Sequence, residues 1–156
     1  MKIMRCGIIL IHPTNESVLM VKQRSSGKLS IPKGKIKYGK ETMLQCALRE
    51  MEEETGINLR QVPHIFRGKI SIRFDRDHHY YLVNLRKHIS DRNITPKDIR
   101  EIQYGKWIDL KKIHEVRMNV VSRRILEKVI RCHITPNWFN WRNTSSKQNS
   151  LYRKSS

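Results

Sequence analysis

Apolar and polar positions repeat along this chain with two periods, and the changes from one period to the other mark its elements. Met4 to Ile11 and Val18 to Arg24 are apolar and rich in β-branched residues, and the turn-forming stretch His12-Pro13-Thr14-Asn15-Glu16-Ser17 lies between them. Two paired strands are predicted. Leu29-Ser30-Ile31 predicts a short strand that delivers the chain into Pro32-Lys33-Gly34. From Lys69 to Phe74 the period is two, with Ile70, Ile72 and Phe74 facing one way and Lys69, Ser71 and Arg73 the other. Asp75 to Asp77 turns into Tyr80 to Leu85, which completes a hairpin with Tyr81, Val83 and Leu85 on one side. Arg86 to Asp98 is polar, contains Pro96 and reads as a loop, and Tyr104 to Ile108 is the last predicted strand. Helical spacing governs two stretches: Leu44, Ala47, Leu48 and Met51 form one apolar stripe, and Met118, Val121, Ile125, Val129 and Cys132 form another.

The first helix is bounded by its own chemistry. Thr42 and Gln45 make a capping box, and Gly56 suits the C′ position that ends a helix of about 14 residues. At about 100° per residue, Glu50, Glu53 and Glu54 project from one side within an arc of roughly 100°, away from the apolar stripe. Like charges three and four residues apart each cost a helix a few tenths of a kcal/mol, so the cluster calls for something positive. Hard divalent cations with oxygen ligands, Mg²⁺ or Mn²⁺, fit that need. A solvated acidic face is the rival reading of the same residues.

At these residues the sequence resembles the Nudix hydrolases, whose box reads G-x5-E-x7-R-E-U-x-E-E-x-G-U with U apolar. Glu41, the seven residues after it, Arg49-Glu50, Met51, Glu52, Glu53-Glu54, Thr55, Gly56 and Ile57 match in register. Gly34 departs from the pattern: it stands one residue too far from Glu41, and strict spacing puts Lys35 at the glycine position. A one-residue insertion in the loop 35–40 accounts for this, with Gly39 taking the bend. The resemblance implies a Nudix-like α/β/α sandwich over residues 1–135, its mixed sheet lying between the box helix and the C-terminal helix. It also implies divalent metal on Glu50, Glu53 and Glu54, with Glu53 among the catalytic residues, and an ion pair between Glu41 and Arg49 that braces the loop. The activity implied is hydrolysis of the pyrophosphate of a nucleoside diphosphate linked to another moiety.

Charge extends the picture beyond the box. The 156 residues suffice for one domain with a real core. Their formal net charge is +18, from 32 Lys and Arg against 14 Asp and Glu, and five of those acids sit between Glu41 and Glu54. The remaining surface is therefore strongly basic, which favours polyanionic ligands and fast, salt-sensitive association with them; a generally lysine-rich composition is the plainer explanation. Lys33, Lys35, Lys37 and Lys40 approach the acidic helix, where they either grip substrate phosphates or stand solvated. Lys69 and Arg73 either line a substrate groove or form an outer face. Cys6, Cys46 and Cys132 are odd in number and lack C-x2-C spacing, so reduced core residues are expected, with neither a disulfide framework nor a zinc site. The seven histidines are scattered. Gly7 to Ile11 is too short for a signal segment and no apolar stretch reaches membrane length, which predicts a soluble, cytoplasmic chain.

Two further features narrow the expected substrate. Glu101 closes the polar loop six residues before Trp107, in Glu-Ile-Gln-Tyr-Gly-Lys-Trp. Messenger-RNA-decapping members of the Nudix family carry a similar E-I-x4-W, and the resemblance implies that Glu101 is the general base. Arg117, Arg124, Lys128 and Arg131 fall along a second stripe of the last helix. That stripe is similar to the RNA-binding element of decapping enzymes, although ordinary solvated side chains read the same way. The Trp that often precedes the Ile-Pro-Lys-Gly-Lys lead-in is absent near Leu29. Residues 136–156 form a basic tail whose composition predicts flexibility, interrupted by Trp138, Phe139 and Trp141, which either stack on bases or dock on the domain. The expected function is metal-dependent hydrolysis of capped RNA to a capped nucleoside diphosphate and 5′-monophosphate RNA. A hydrolase of diphosphoinositol or dinucleoside polyphosphates is the runner-up. A non-catalytic RNA-binding module is the third reading, and the intact Glu50, Glu53 and Glu54 speak against it.

Overall fold

The computed structural model describes residues 3–12, 16–61 and 66–133, with backbone alone at 66–70 and 133. At its centre the apolar run Gly7 to Ile11 becomes β1 (Arg5–Ile11), in which Ile8, Ile9 and Leu10 are all fully buried. Burial of consecutive residues requires cover on both faces, whereas a strand with one wet face would alternate. β1 carries neighbours on both edges. On one edge β2 (Ser17–Gln23) pairs antiparallel with its end at Ile11, and β4 (Lys33–Lys35) pairs antiparallel with its start, Cys6 opposite Gly34. On the other edge β6 (His78–Leu85) runs parallel to it, from Arg5 opposite His78 to Ile11 opposite Asn84. β3 (Leu29–Ser30) and β7 (Ile102–Asp109) pair antiparallel with β2, and β5 (Phe66–Asp75) pairs antiparallel with β6. The result is a seven-stranded mixed sheet. The predicted strands are all present, and β4, which the sequence reading took as part of the lead-in loop, is added.

The chain divides into two compact units, Met1–Asn119 and Val120–Ser156. In the first, α1 (Met43–Thr55) lays Cys46, Ala47 and Met51 on Cys6, Ile8 and Leu10 of β1, Leu19 of β2, and Tyr81, Val83 and Leu85 of β6. Leu44 and Leu48, expected in the same stripe, pack only at its margin. Met51 has no exposed surface, so truncating it to Ala should cost about 2–5 kcal/mol and shake the helix that carries the glutamates.

The second unit contains α2 (Val120–His133), which starts two residues later than its pattern suggested. Met118 forms a parallel bridge to Leu29 instead: the Leu29 N–H donates to the Arg117 carbonyl at 3.0 Å and the Asn119 N–H to the Leu29 carbonyl at 2.7 Å. Arg117 thus lies off the helix and cannot extend its basic stripe. Ser122, Ile125, Leu126, Val129 and Ile130 are the buried residues of α2, and Cys132 is exposed rather than a core residue. The buried set centres about 70° round the helix from Ile125, and Cys132 lies about 90° from that centre. Arg124, Lys128 and Arg131 fall on the opposite side. The boundary expected at 135 and the tail 136–156, with Trp138, Phe139 and Trp141, lie outside the described residues. No helix among the described residues is long and apolar enough to cross a membrane.

Candidate active site

Both ends of α1 are fixed as their residues dictate. The Gln45 N–H donates to Thr42 Oγ1 at 3.1 Å and the Thr42 N–H to Gln45 Oε1 at 2.8 Å, so the capping box is complete. At the other end Gly56 takes φ 79° and its N–H donates to the Glu52 carbonyl at 2.8 Å. The remaining orphan carbonyls of the last turn are met by the loop before β7. Thr95 donates to Thr55 at 2.8 Å, and Lys97 and Asp98 both donate to the Glu53 carbonyl at 2.9 Å. A Cβ on residue 56 would stand 2.4 Å from the Thr95 carbonyl oxygen, so glycine also lets the loop approach. That loop continues to Glu101, whose position is therefore tied to the end of the helix that carries the box.

Arg49 is the hub of the loop that leads in. Its Nε and Nη2 grip Glu41 at 3.0 and 2.8 Å, Nη1 reaches Glu50 at 2.8 Å and Glu53 at 3.3 Å, and Nη2 also donates to the Lys35 carbonyl at 3.1 Å. Glu41 accepts the Lys37 N–H at 3.0 Å as well. Between these two anchors Gly39, at φ 75°, sits in a turn closed by the Lys40 N–H on the Lys37 carbonyl at 3.1 Å. The guanidinium of Arg49 holds the Glu41 carboxyl down at about 2. A depressed folded pKa stabilises above the ordinary carboxylate value and is lost as pH falls through about 2. A shift of that size corresponds to at most about 3 kcal/mol. Glu41→Gln should therefore lower the unfolding free energy by about 2–3 kcal/mol at pH 7, and the gap to the parent should close between pH 5 and 2 in chemical denaturation.

The three box glutamates are not equivalent. Glu54 is 2% exposed; its Oε1 accepts the Lys33 N–H at 3.1 Å while its Oε2 is buried with no hydrogen-bond partner among the described residues. Burial, with the Glu50 charge nearby, pushes its carboxyl up to about 9. Glu50 is 9% exposed and raised by burial against the pull of Arg49. Its carboxylate lies so close to Gly34 that a Cβ there would be 2.0 Å from Glu50 Cδ, which is why glycine is needed where β4 passes the helix. The Glu53 side chain keeps 42% of its surface exposed. Among the described residues no three His, Cys, Asp or Glu side chains form a ready ligand cluster: Glu50 and Glu53 turn to Arg49, and Glu54 turns to Lys33. The three carboxylates thus leave one side of the helix but turn to different partners. The donor set nevertheless fits a hard cation, because all its atoms are carboxylate oxygens and one of them is buried without compensation.

A cleft of about 600 Å³ opens beside these residues, lined by Arg5, Gln23, Lys33, Gly34, Lys35, Ile36, Lys37, Arg49, Glu50 and Glu101. It brings Glu101 to the box and gathers three of the expected phosphate ligands, Lys33, Lys35 and Lys37. Burial lowers the Lys33 ammonium, with Glu54 the strongest opposing influence. Glu101 is raised, first by burial and then by the neighbouring Asp98, whose Oδ1 accepts its N–H at 3.3 Å. Arg73 does not join them: it stands on β5, beyond β6, and its Nε donates to the Asp75 carbonyl at 3.4 Å. Lys69 shares that strand, its side chain outside the described set. Arg5 and Gln23 were missed, because only the pairing of β1 with β4 and the irregularity at Lys22/Gln23 of β2 bring them to the cleft.

A family model described as NUDIX domain matches residues 1–129. No curated protein matches the chain in sequence. Among solved structures, the bifunctional NMN adenylyltransferase/ADP ribose pyrophosphatase from Francisella tularensis superposes with TM-score 0.64 and 23% identity over 83% of this chain and 41% of that one. This chain thus spans less than half of that protein, which has also been solved complexed with AMP and Mn ion. The Ap4A hydrolase of C. elegans aligns with TM-score 0.59 and 18% identity over 80% of this chain and 93% of that one. The dihydroneopterin triphosphate pyrophosphohydrolase of E. coli aligns with TM-score 0.59 and 17% identity over 80% and 92%. These likenesses establish the fold.

Proposed function

The chain belongs to the Nudix family, and we propose that it is a pyrophosphohydrolase and that the pyrophosphate it opens is that of a 5′-capped RNA, releasing a capped nucleoside diphosphate and 5′-monophosphate RNA. The observation that carries this reading is Glu101 lining one cleft with Glu50 and Lys33. Glu50, Glu53 and Glu54 would hold Mg²⁺ or Mn²⁺, which supplies neutralisation of the charge that develops on the phosphoryl oxygens. Glu101 takes the proton of the attacking water, Lys33, Lys35, Lys37 and Arg5 take phosphate oxygens, and Arg49 keeps Glu50 and Glu53 in place. The formal charge of +18 suits a polyanion longer than the cleft.

Capped RNA and free cap analogue separate this reading from its rival. If Arg124, Lys128 and Arg131 of α2 contact an RNA backbone, log affinity falls with log salt by roughly 0.7 per contact for a single strand. Removing all three should flatten that slope by about two units for RNA of any sequence and leave cleavage of the free analogue unchanged. Equal catalytic efficiency on capped RNA and free analogue would defeat the RNA reading. It would favour a dinucleoside polyphosphate, a substrate suited to five cations gathered in one cleft and acted on by the C. elegans neighbour.

A further inference from the structure

The chain leaving β2 borders two clefts rather than one. Gln23 lines the cleft beside the box, and two residues later Ser25 lines a second cleft of about 420 Å³, whose other lining residues are Asp98, Arg100 and Glu101. Glu101 belongs to both, so the two spaces meet at the residue proposed to activate water. A pyrophosphate opened beside Glu101 has a group on each side of the broken bond. The first cleft holds the phosphates on one side, and the second is open to what lies on the other.

The two clefts differ in charge, and the difference decides what each can hold. The first sets Arg5, Lys33, Lys35, Lys37 and Arg49 against Glu50 and Glu101, whereas the second sets Arg100 alone against Asp98 and Glu101. A further phosphate would meet more negative than positive charge in the second cleft and is disfavoured there. A neutral group rich in both donors and acceptors is suited: its hydroxyl and amino hydrogens find carboxylate oxygens, and its carbonyl and ring-nitrogen acceptors find the Ser25 hydroxyl and the Arg100 guanidinium. Among the described residues those two side chains make no hydrogen bond and no ion pair of their own. The rims are nonetheless fixed. The Arg24 N–H donates to the Glu101 carbonyl at 2.9 Å and Arg24 Nε to the Ile99 carbonyl at 2.7 Å, while Asp98 Oδ1 accepts the Glu101 N–H at 3.3 Å. Donors on a braced frame bind with less ordering cost than donors on a loose one.

We infer that the second cleft is a nucleoside subsite, in which Ser25 and Arg100 hold the sugar and base that lie across the scissile pyrophosphate from the phosphates in the first cleft. This rests on the proposed nucleotide-linked substrate and assigns the specificity of that substrate to two residues outside the box. A capped RNA would place its first nucleoside there. Its volume lies within the range of about 300–1,000 Å³ common to small-molecule sites.

Titration in EDTA, where nothing is hydrolysed, compares GTP and ATP with inorganic tripolyphosphate on the parent, the Ser25→Ala/Arg100→Ala double variant and Arg100→Lys. Both residues are exposed and carry no structural contact, and melting temperatures check that the variants fold as the parent does. Losing hydrogen bonds from a charged donor is expected to weaken both nucleotides about tenfold in the double variant. Tripolyphosphate should bind the double variant as it binds the parent, and Arg100→Lys should recover only part of the nucleotide affinity, because a single ammonium does not reproduce the planar fork. With Mn²⁺ present, the double variant should lose catalytic efficiency on a dinucleoside tetraphosphate through KM rather than kcat. Equal losses on nucleotides and tripolyphosphate would make the second cleft a phosphate site and overturn the inference, as would no loss on either. A parent protein that hydrolyses neither capped RNA nor dinucleoside polyphosphate would remove the proposed function, and the titration would still decide what the second cleft holds.

Discussion

Glu54→Gln is expected to cut turnover by three or more orders of magnitude and, in the same protein, to erase the effect of divalent metal on thermal stability. Metal assistance supplies several kcal/mol of transition-state stabilisation, and each 1.36 kcal/mol is tenfold in rate. The stability effect follows from the environment of the carboxyl. Glu54 is buried, its Oε2 has no hydrogen-bond partner among the described residues, and burial raises its pKa to about 9. A carboxyl whose folded pKa lies above its unfolded value contributes stability that is complete below the ordinary value of 4.5 and declines as pH rises toward 9. In EDTA the parent should therefore lose stability between about pH 5 and 9 relative to Glu54→Gln, which stays neutral throughout. Taking the difference between the two proteins cancels other titrations, including that of Lys33. Metal needs the deprotonated carboxylate, so added Mn²⁺ should raise the parent melting temperature most at the alkaline end, and binding should release protons. Melting curves across pH, with and without metal, check both signs. A Glu54→Gln protein that keeps its turnover and its metal-dependent shift would take Glu54 out of the metal site.

The features legible in the sequence were those whose partners lie within a helical turn or a fixed short spacing. Thr42 and Gln45 cap α1 three residues apart, and Gly56 ends it. The grip of Arg49 on Glu41 was implied by the resemblance of the box, and the structure has it. The apolar, β-branched run from Met4 to Ile11 announced a strand paired with the one after it. What stayed hidden depends on pairing between distant segments. Glu54 read as one of three similar carboxylates because helix geometry fixes only the direction in which it leaves the axis; its burial and its bond from the Lys33 N–H of β4 depend on a segment distant in sequence. Arg5 and Gln23 carry no local signal, and β1–β4 pairing and the β2 irregularity bring them in. Cys132 misled because an apolar stripe read at i+3 and i+4 leaves its centre uncertain by nearly a residue, and the exposed edge falls within that margin.

Glu101→Gln tests a step that neither the box nor its metal decides. General-base catalysis contributes about 10² to 10⁴-fold, so the catalytic rate should fall by that much while RNA affinity stays near the parental value. A base works only when deprotonated, and the rate should therefore rise with pH through the Glu101 pKa. Burial, and then the Asp98 carboxylate, raise that pKa from its ordinary value, the direction that makes a carboxylate a stronger base. Asp98→Asn removes the neighbouring charge and keeps an oxygen for the Glu101 N–H, and the backbone N–H of residue 98 still caps the Glu53 carbonyl. It should shift the rising limb to lower pH without abolishing activity, whereas Glu101→Gln should delete the limb. The pair of variants distinguishes a base from a positioning residue, because loss of mere positioning lowers the whole profile and leaves its inflection in place. If Glu101→Gln retains both rate and inflection, the proton of the attacking water goes elsewhere, with Glu53, the exposed glutamate of the box, as the remaining candidate; the capped-RNA proposal then loses its main chemical support.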